Sequence, residues 1–234
     1  MVHKQENFSD RALDFYRNLH PPADLPIGVE ALNPHQNPKI MASASEFFNK
    51  FYSDNKARIP VFGINPGRLG SGLTGVAFTD PVSLWTKCGI QNDFPKKKEI
   101  SSEFIYMFAE YWGGVSRLYS DFFFSAVSPI GYSMNDKNYN FYDSDALYEK
   151  SREFIIQSMR KQISMGLEDR VAIILGSGHN KKIFDSINDQ HHMFNSTLSL
   201  PHPRFIMQYD RKNISAHLDN YRNTFSMAKD MCVK

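Results

Sequence analysis

Ile59-Pro60-Val61-Phe62-Gly63-Ile64-Asn65-Pro66-Gly67-Arg68-Leu69-Gly70-Ser71-Gly72-Leu73-Thr74-Gly75-Val76-Ala77-Phe78 joins an apolar run to a segment with five glycines, at 63, 67, 70, 72 and 75. The apolar run reads as a buried strand. Gly63 to Phe78 reads as a loop, because each glycine adds backbone entropy that a helix or a paired strand would have to remove. A glycine-rich loop leaving a buried strand brings its N–H and C=O groups close to a ligand, and open α/β sheets bind ligands beyond the carboxyl ends of their strands. The loop carries neither the Gly-Lys-Ser/Thr of a phosphate loop nor GxGxxG. It does place an amide, Asn65, at its mouth and an aromatic ring, Phe78, at its far end. An amide can orient a water or a base edge, and a ring face offers a stacking surface.

Outward from this loop, two more apolar runs read as strands, Phe122–Val127 and Val171–Leu175, and Ser196–Leu200 reads as a fourth. Helical periodicity lies between them. The expected fold is α/β, a three-layer α/β/α sandwich with a central, mainly parallel four-stranded sheet in a single domain over residues 1–234. Expected helices are Asp10 to Leu19 capped by Ser9, Ser43–Tyr52, and Asp80–Lys87 with Leu84 and Trp85 inward. Next come Glu103–Trp112 capped by Ser101 or Ser102, a long helix from Asp143 or Ser144 through Met165, one through Ile187, and Ile214–Lys229. Phe205–Tyr209 reads either as a core strand or as apolar side chains able to fill a gap in stacked bases. His35, in Asn33-Pro34-His35, is expected to be a satisfied surface histidine.

With 41% hydrophobic and 14% aromatic residues, the 234-residue chain can bury one sizeable core. The net charge of +2 does not advertise a nucleic-acid binder. A local basic groove would suffice, and Lys96-Lys97-Lys98 is the densest basic run. Two cysteines, Cys88 and Cys232, form no disulfide framework and point to a reducing compartment. Met1 to Leu13 is polar, and no run of about twenty apolar residues occurs. A cytoplasmic protein without membrane contact, metal or cofactor is expected.

Gly63-Ile64-Asn65-Pro66-Gly67, followed at the same internal spacing by Thr74-Gly75-Val76-Ala77-Phe78, closely resembles motif 1 of the single-strand-selective monofunctional uracil-DNA glycosylases, GMNPG and then TGVPF. The resemblance implies that Asn65 positions the attacking water, Phe78 stacks on the extruded base, and the backbone at Ile64 and Gly67 lines the pocket. Pro201-His202-Pro203-Arg204 is similar to the family's His-Pro-Ser-Pro-Arg, which makes His202 the group that stabilises charge on the departing base and Arg204 a DNA contact. Gly176-Ser177-Gly178 with Lys181, a turn opening a helix, would hold a DNA phosphate through Ser177 and Lys181. The end of the Phe122–Val127 strand departs from the pattern. Aligning Pro129 with the proline of the family's His-Asn-Leu-Cys-Pro puts Ser125 at the His and Ala126 at the base-reading Asn. Base recognition would then fall to Ser125, Ser128, backbone groups or the Asn135–Asn140 segment. Two cysteines also exclude the superfamily's iron-sulfur branch, which needs four ligands.

The implied activity is hydrolysis of the N-glycosidic bond of uracil or a related deaminated base in DNA, single strands favoured, by a monomer. The competing reading, raised by Ala126, is a catalytically silent nucleic-acid or nucleotide-binding module on the same fold. A Rossmann-type nucleotide enzyme fits less well, since its glycine fingerprint and ribose-binding acid are missing.

Overall fold

The structure is a computed structural model that describes residues 6–233; Met1–Gln5, the start of the polar stretch read above, and Lys234 lie outside the described residues. In chain order the elements are α1 (Phe8–Arg17), β1 (Val29–Leu32), α2 (Pro38–Phe51), β2 (Ile59–Gly63), α3 (Ser71–Thr74), α4 (Pro81–Thr86), α5 (Ile100–Trp112) and α6 (Val115–Asp121). They continue as β3 (Phe122–Ala126), β4 (Gly131–Met134), β5 (Lys137–Tyr139), α7 (Asp145–Ser164), β6 (Val171–Leu175), α8 (His179–His191), β7 (Ser196–Leu200), α9 (Pro203–Tyr209) and α10 (Ile214–Val233).

β3, β2, β6 and β7 form a four-stranded sheet in that order, with every neighbouring pair parallel. Helical crossovers between parallel strands must cover both faces, and they do. Phe62 and Phe123 pack on Phe184 of α8 and Phe8 of α1, while Phe122 and Phe124, on the opposite face, meet Phe225 of α10. The result is the expected α/β/α sandwich. Its core also holds a charge: Arg58 is fully buried between the rings of Phe8 and Tyr52, pairs with Asp54 at 2.9 Å, and donates to the Tyr119 and Lys56 carbonyls.

The chain leaves β2 toward β3 on one side and leaves β6 toward β7 on the other. β2 and β6 are therefore the switch point, where such sheets open a crevice. Their ladder pairs only Val61 with Ile173 and Phe62 with Ile174. Just beyond, Asn180 Nδ2 donates to both the Gly63 and the Leu175 carbonyls, bridging the two strands where they part.

A second sheet, β1-β4-β5, is antiparallel throughout and was absent from the sequence reading. Its strands are three or four residues long and mostly half-exposed, so they carry little apolar periodicity. β4 and β5 form a hairpin whose turn residues Asn135 and Asp136 both have positive φ, 49° and 59°, as a type I′ turn requires.

Several element ends also differ from the expectation. Asn7 caps α1, since Ser9 is buried and donates to Asn49; Asn37 and Pro38 open α2 ahead of Ser43; Glu99 caps α5, with Ser101 and Ser102 inside it. Pro38 fits the first helical turn, where its missing N–H costs nothing. Trp85 faces outward, with Lys96 over its ring at 4.3 Å. The Gly-rich loop contains one helical turn, α3. Phe205–Tyr209 is helical, within α9, and α10 runs past the expected Lys229 to Val233, with Cys232 packed against the core. Among the described residues no helix is long and apolar enough to cross a membrane.

Candidate active site

A cleft of about 870 Å³ opens beyond the carboxyl ends of β2 and β3, where Gly63, Ser125 and Ala126 line it. Asn65, Phe78 and His202, drawn from the loops after β2 and β7, all line it. Of the other expected residues Ile64, Gly67, Ser125 and Arg204 line its walls, joined by Ala126, whereas Ser177 and Lys181 lie outside.

Asn65 is held at both ends of its amide. Oδ1 accepts from the Phe141 N–H at 3.2 Å, and Nδ2 donates to the Tyr139 carbonyl at 3.3 Å. That arrangement leaves Oδ1 one further lone pair, the feature needed to orient a water.

Phe78 reaches the cleft at a backbone cost, with φ at +54°. The left-handed region is unfavourable for a bulky residue, and strain of this kind gathers at ligand sites. The ring lies across the end of β2, where a Cβ on Gly63 would stand 2.5 Å from its Cζ. A side chain at Gly63 would have to displace that ring.

His202 is half-buried, its ring centroid 5.7 Å from that of Phe78 and tilted by 44°. Nδ1 accepts from the Arg204 backbone N–H at 3.1 Å, which puts the ring proton on Nε2. Burial, with the Arg204 charge beside it, pushes its pKa down to about 4. At neutral pH His202 is an uncharged Nε2–H donor.

His35 corrects the expectation of a surface histidine. It is buried, stacked on Tyr16 at 4.2 Å, and its Nε2 donates to the Gly75 carbonyl at 2.8 Å. Burial pushes its pKa down to about 4 as well. The residue props the Gly-rich loop from below. The Asn-Pro turn gave its position away in the sequence, but its burial depends on Tyr16, 19 positions earlier in the chain.

At the end of β3, the methyl of Ala126 offers the cleft no hydrogen bond. Ser125 is on the cleft floor, but its hydroxyl is turned to Gln162 Oε1, at 2.5 Å, and lies 3.4 Å from the Tyr16 hydroxyl. Ser128 donates to the Ile130 carbonyl. Gln162, fully buried on α7, was not anticipated; nothing in a helical stretch distinguishes a core glutamine from a surface one.

Lys181 does not fit its expected phosphate contact: its ammonium pairs with Asp185 and donates to Thr197. Ser177 is exposed beside the start of α8. Arg204 is exposed at the start of α9, followed by Phe205 and Tyr209, which are exposed and face one another at 5.7 Å. Among the described residues no His, Cys, Asp and Glu cluster could hold a metal ion.

The hairpin packs against the Gly-rich loop so closely that a Cβ on Gly131 would fall 2.2 Å from the Pro66 carbonyl oxygen. Replacing Gly131 with alanine is expected to cost about 1–3 kcal/mol, the usual range for overpacking. Urea unfolding would show it as a lower midpoint with an unchanged slope.

A parallel sheet whose strand ends open on a cleft shared by an amide, a ring and a neutral imidazole is the arrangement that the resemblance implies for a base-excising N-glycosyl hydrolase. The Uracil DNA glycosylase superfamily model matches residues 50–226, and the chain belongs to that superfamily. It is similar along its length to a solved structure, that of wild-type SMUG2 from Pedobacter heparinus: 36% identity, a TM-score of 0.94, and coverage of 97% of this chain and 100% of that one. No curated protein matches the sequence. A DNA glycosylase-type function, with DNA as partner, follows from this membership.

Proposed function

We propose that the protein is a monofunctional DNA glycosylase that hydrolyses the N-glycosidic bond of uracil or a related deaminated base, favours single-stranded DNA, and leaves an abasic site as a cytoplasmic monomer. The observation that carries this reading is the meeting of Asn65, Phe78 and His202 in one cleft. In this reading the base is flipped out of its strand, at a cost of a few kcal/mol that is smallest when it is unpaired. Phe78 stacks on it, the Ile64 and Gly67 backbone and Ser125 surround it, and the Nε2–H of His202 meets negative charge building on its oxygen. Asn65 Oδ1 holds the water beneath the anomeric carbon. An amide is a poor base, which suits a leaving group that departs ahead of strong attack. Lys98 and Lys137, at the rim of the cleft, are exposed, unlike the desolvated amines that form Schiff bases.

Arg204 and Ser177 contact the DNA backbone, and Phe205 and Tyr209 stack on neighbouring bases; Lys181 is left out because Asp185 holds it. Arg204→Ala is expected to weaken binding to single strands of any sequence. It should also lower the slope of log affinity against log salt by about 0.7, one phosphate contact in a single strand. Fluorescence anisotropy across a salt series would measure both.

The deciding experiment is alkaline cleavage of a labelled single-stranded oligonucleotide carrying one uracil. Cleavage after incubation with the wild-type protein supports the reading. Tight binding without cleavage of uracil or any other deaminated base would favour the silent binding module, the reading that Ala126 keeps open.

A further inference from the structure

We propose that Asn138, on β5, is a positioning residue for this reaction, holding the Gly-rich loop so that the Asn65 amide stays seated on Phe141 and Tyr139. The inference rests on the glycosylase reading and adds to it a role for the hairpin. Asn138 Oδ1 accepts from the Arg68 N–H at 3.0 Å, across 70 positions of sequence. Its Nδ2 lies beside Gly67, 3.5 Å from where a Cβ would stand. One residue further along the hairpin strand, the Tyr139 carbonyl takes Asn65 Nδ2, and the Phe141 N–H donates to Asn65 Oδ1.

Two stretches of backbone are thus stitched together by two asparagine side chains pointing in opposite directions. Asn65 reaches from the loop to the hairpin strand, and Asn138 reaches from the hairpin strand back to the loop. Each stitch limits the freedom of the other, since only Pro66 and Gly67 separate Asn65 from Arg68. Gly131 beneath Pro66 and the Arg68–Asp136 ion pair at 3.6 Å flank the same seam. Without Asn138, the Arg68 N–H turns to solvent and the loop gains a hinge next to the water-holding amide. Small misplacements of a positioning group are costly to rate, because the bound geometry has to match the line of attack.

Asn138 is exposed on a hairpin, so its replacement leaves the core intact. In Asn138→Ala, cleavage of the single-stranded uracil oligonucleotide should fall about tenfold in kcat with KM nearly unchanged, the size of one lost hydrogen bond. The factor should be the same for any other base the enzyme accepts. Asn138→Asp keeps the acceptor for the Arg68 N–H and should restore most of the rate. A second measurement needs no activity: amide hydrogen exchange at Arg68 and Phe141 should quicken in Asn138→Ala and return toward wild type in Asn138→Asp. Unchanged exchange at Phe141, full activity of Asn138→Ala, or failure of Asn138→Asp to restore the rate would each overturn the proposal. A loss that differs between bases would overturn it too, by making Asn138 a reader of the base. A wild-type protein that cleaves nothing while exchange responds as described would instead overturn the glycosylase reading, and this role with it.

Discussion

Asn65→Ala is expected to slow uracil release from a single strand by a factor on the order of 10², the cost of misplacing a reacting group. Binding of the same oligonucleotide should change little, because the amide is tied to the hairpin segment through Tyr139 and Phe141. Single-turnover cleavage beside anisotropy would separate the two effects. Asn65→Asp is the more discriminating variant. A carboxylate gains in basicity, but in this site one of its oxygens would sit where Nδ2 now donates to the Tyr139 carbonyl at 3.3 Å. Two acceptors facing each other raise the acid's pKa, so the substituted side chain should titrate above the ordinary aspartate value of about 3.9. The pH–rate profile of Asn65→Asp should therefore show an ionisation that wild type lacks. A faster, pH-independent enzyme would mean that the hairpin does not fix the amide.

His202→Ala is expected to remove a donor aimed at developing charge, a loss of about 10²–10³ in kcat by analogy with other such donors. The wild-type pH profile tests the charge state separately. With the pKa pushed down to about 4, His202 is neutral throughout the range where an ordinary histidine, near 6.5, would titrate. Any loss of rate from its protonation should thus appear near pH 4 and not near 6.5. Stability follows the same linkage. His35 and His202 bind protons more readily in the unfolded chain, so stability is at its full value above about pH 6.5 and declines as the pH falls from there toward 4. Thermal melts across that interval would show it.

Much of this site is legible in the sequence because its parts sit where chain chemistry is loud. Five glycines after an apolar run mark a loop at a strand end, and Pro201 and Pro203 bracket His202 at the end of β7. The parallel sheet is legible for the same reason: buried strands between helices are continuous apolar runs. What was not legible depends on contacts between distant segments. The β1-β4-β5 sheet exists through backbone pairing and leaves little apolar pattern, although Asn135-Asp136 did carry a turn signal. Gln162 and Lys181 are polar residues on helices, and only their partners, Ser125 in one case and Asp185 with Thr197 in the other, show what they do. Phe205 to Tyr209 is too short and apolar for periodicity to separate strand from helix, and Pro203 at the first helical position decides it.

The close approach at Gly63 and Gly131 reaches into how such a protein can change over generations. Along this seam a side chain added at either glycine meets the Phe78 ring or the Pro66 carbonyl, so the segment around Asn65 tolerates little drift. At the end of β3, Ala126 contributes only a methyl to the cleft wall. In the glycosylase reading, substitution there would change the wall that meets the base and leave the Gly-rich loop as it is, so substrate range and chemistry would be carried by separate strands of one sheet.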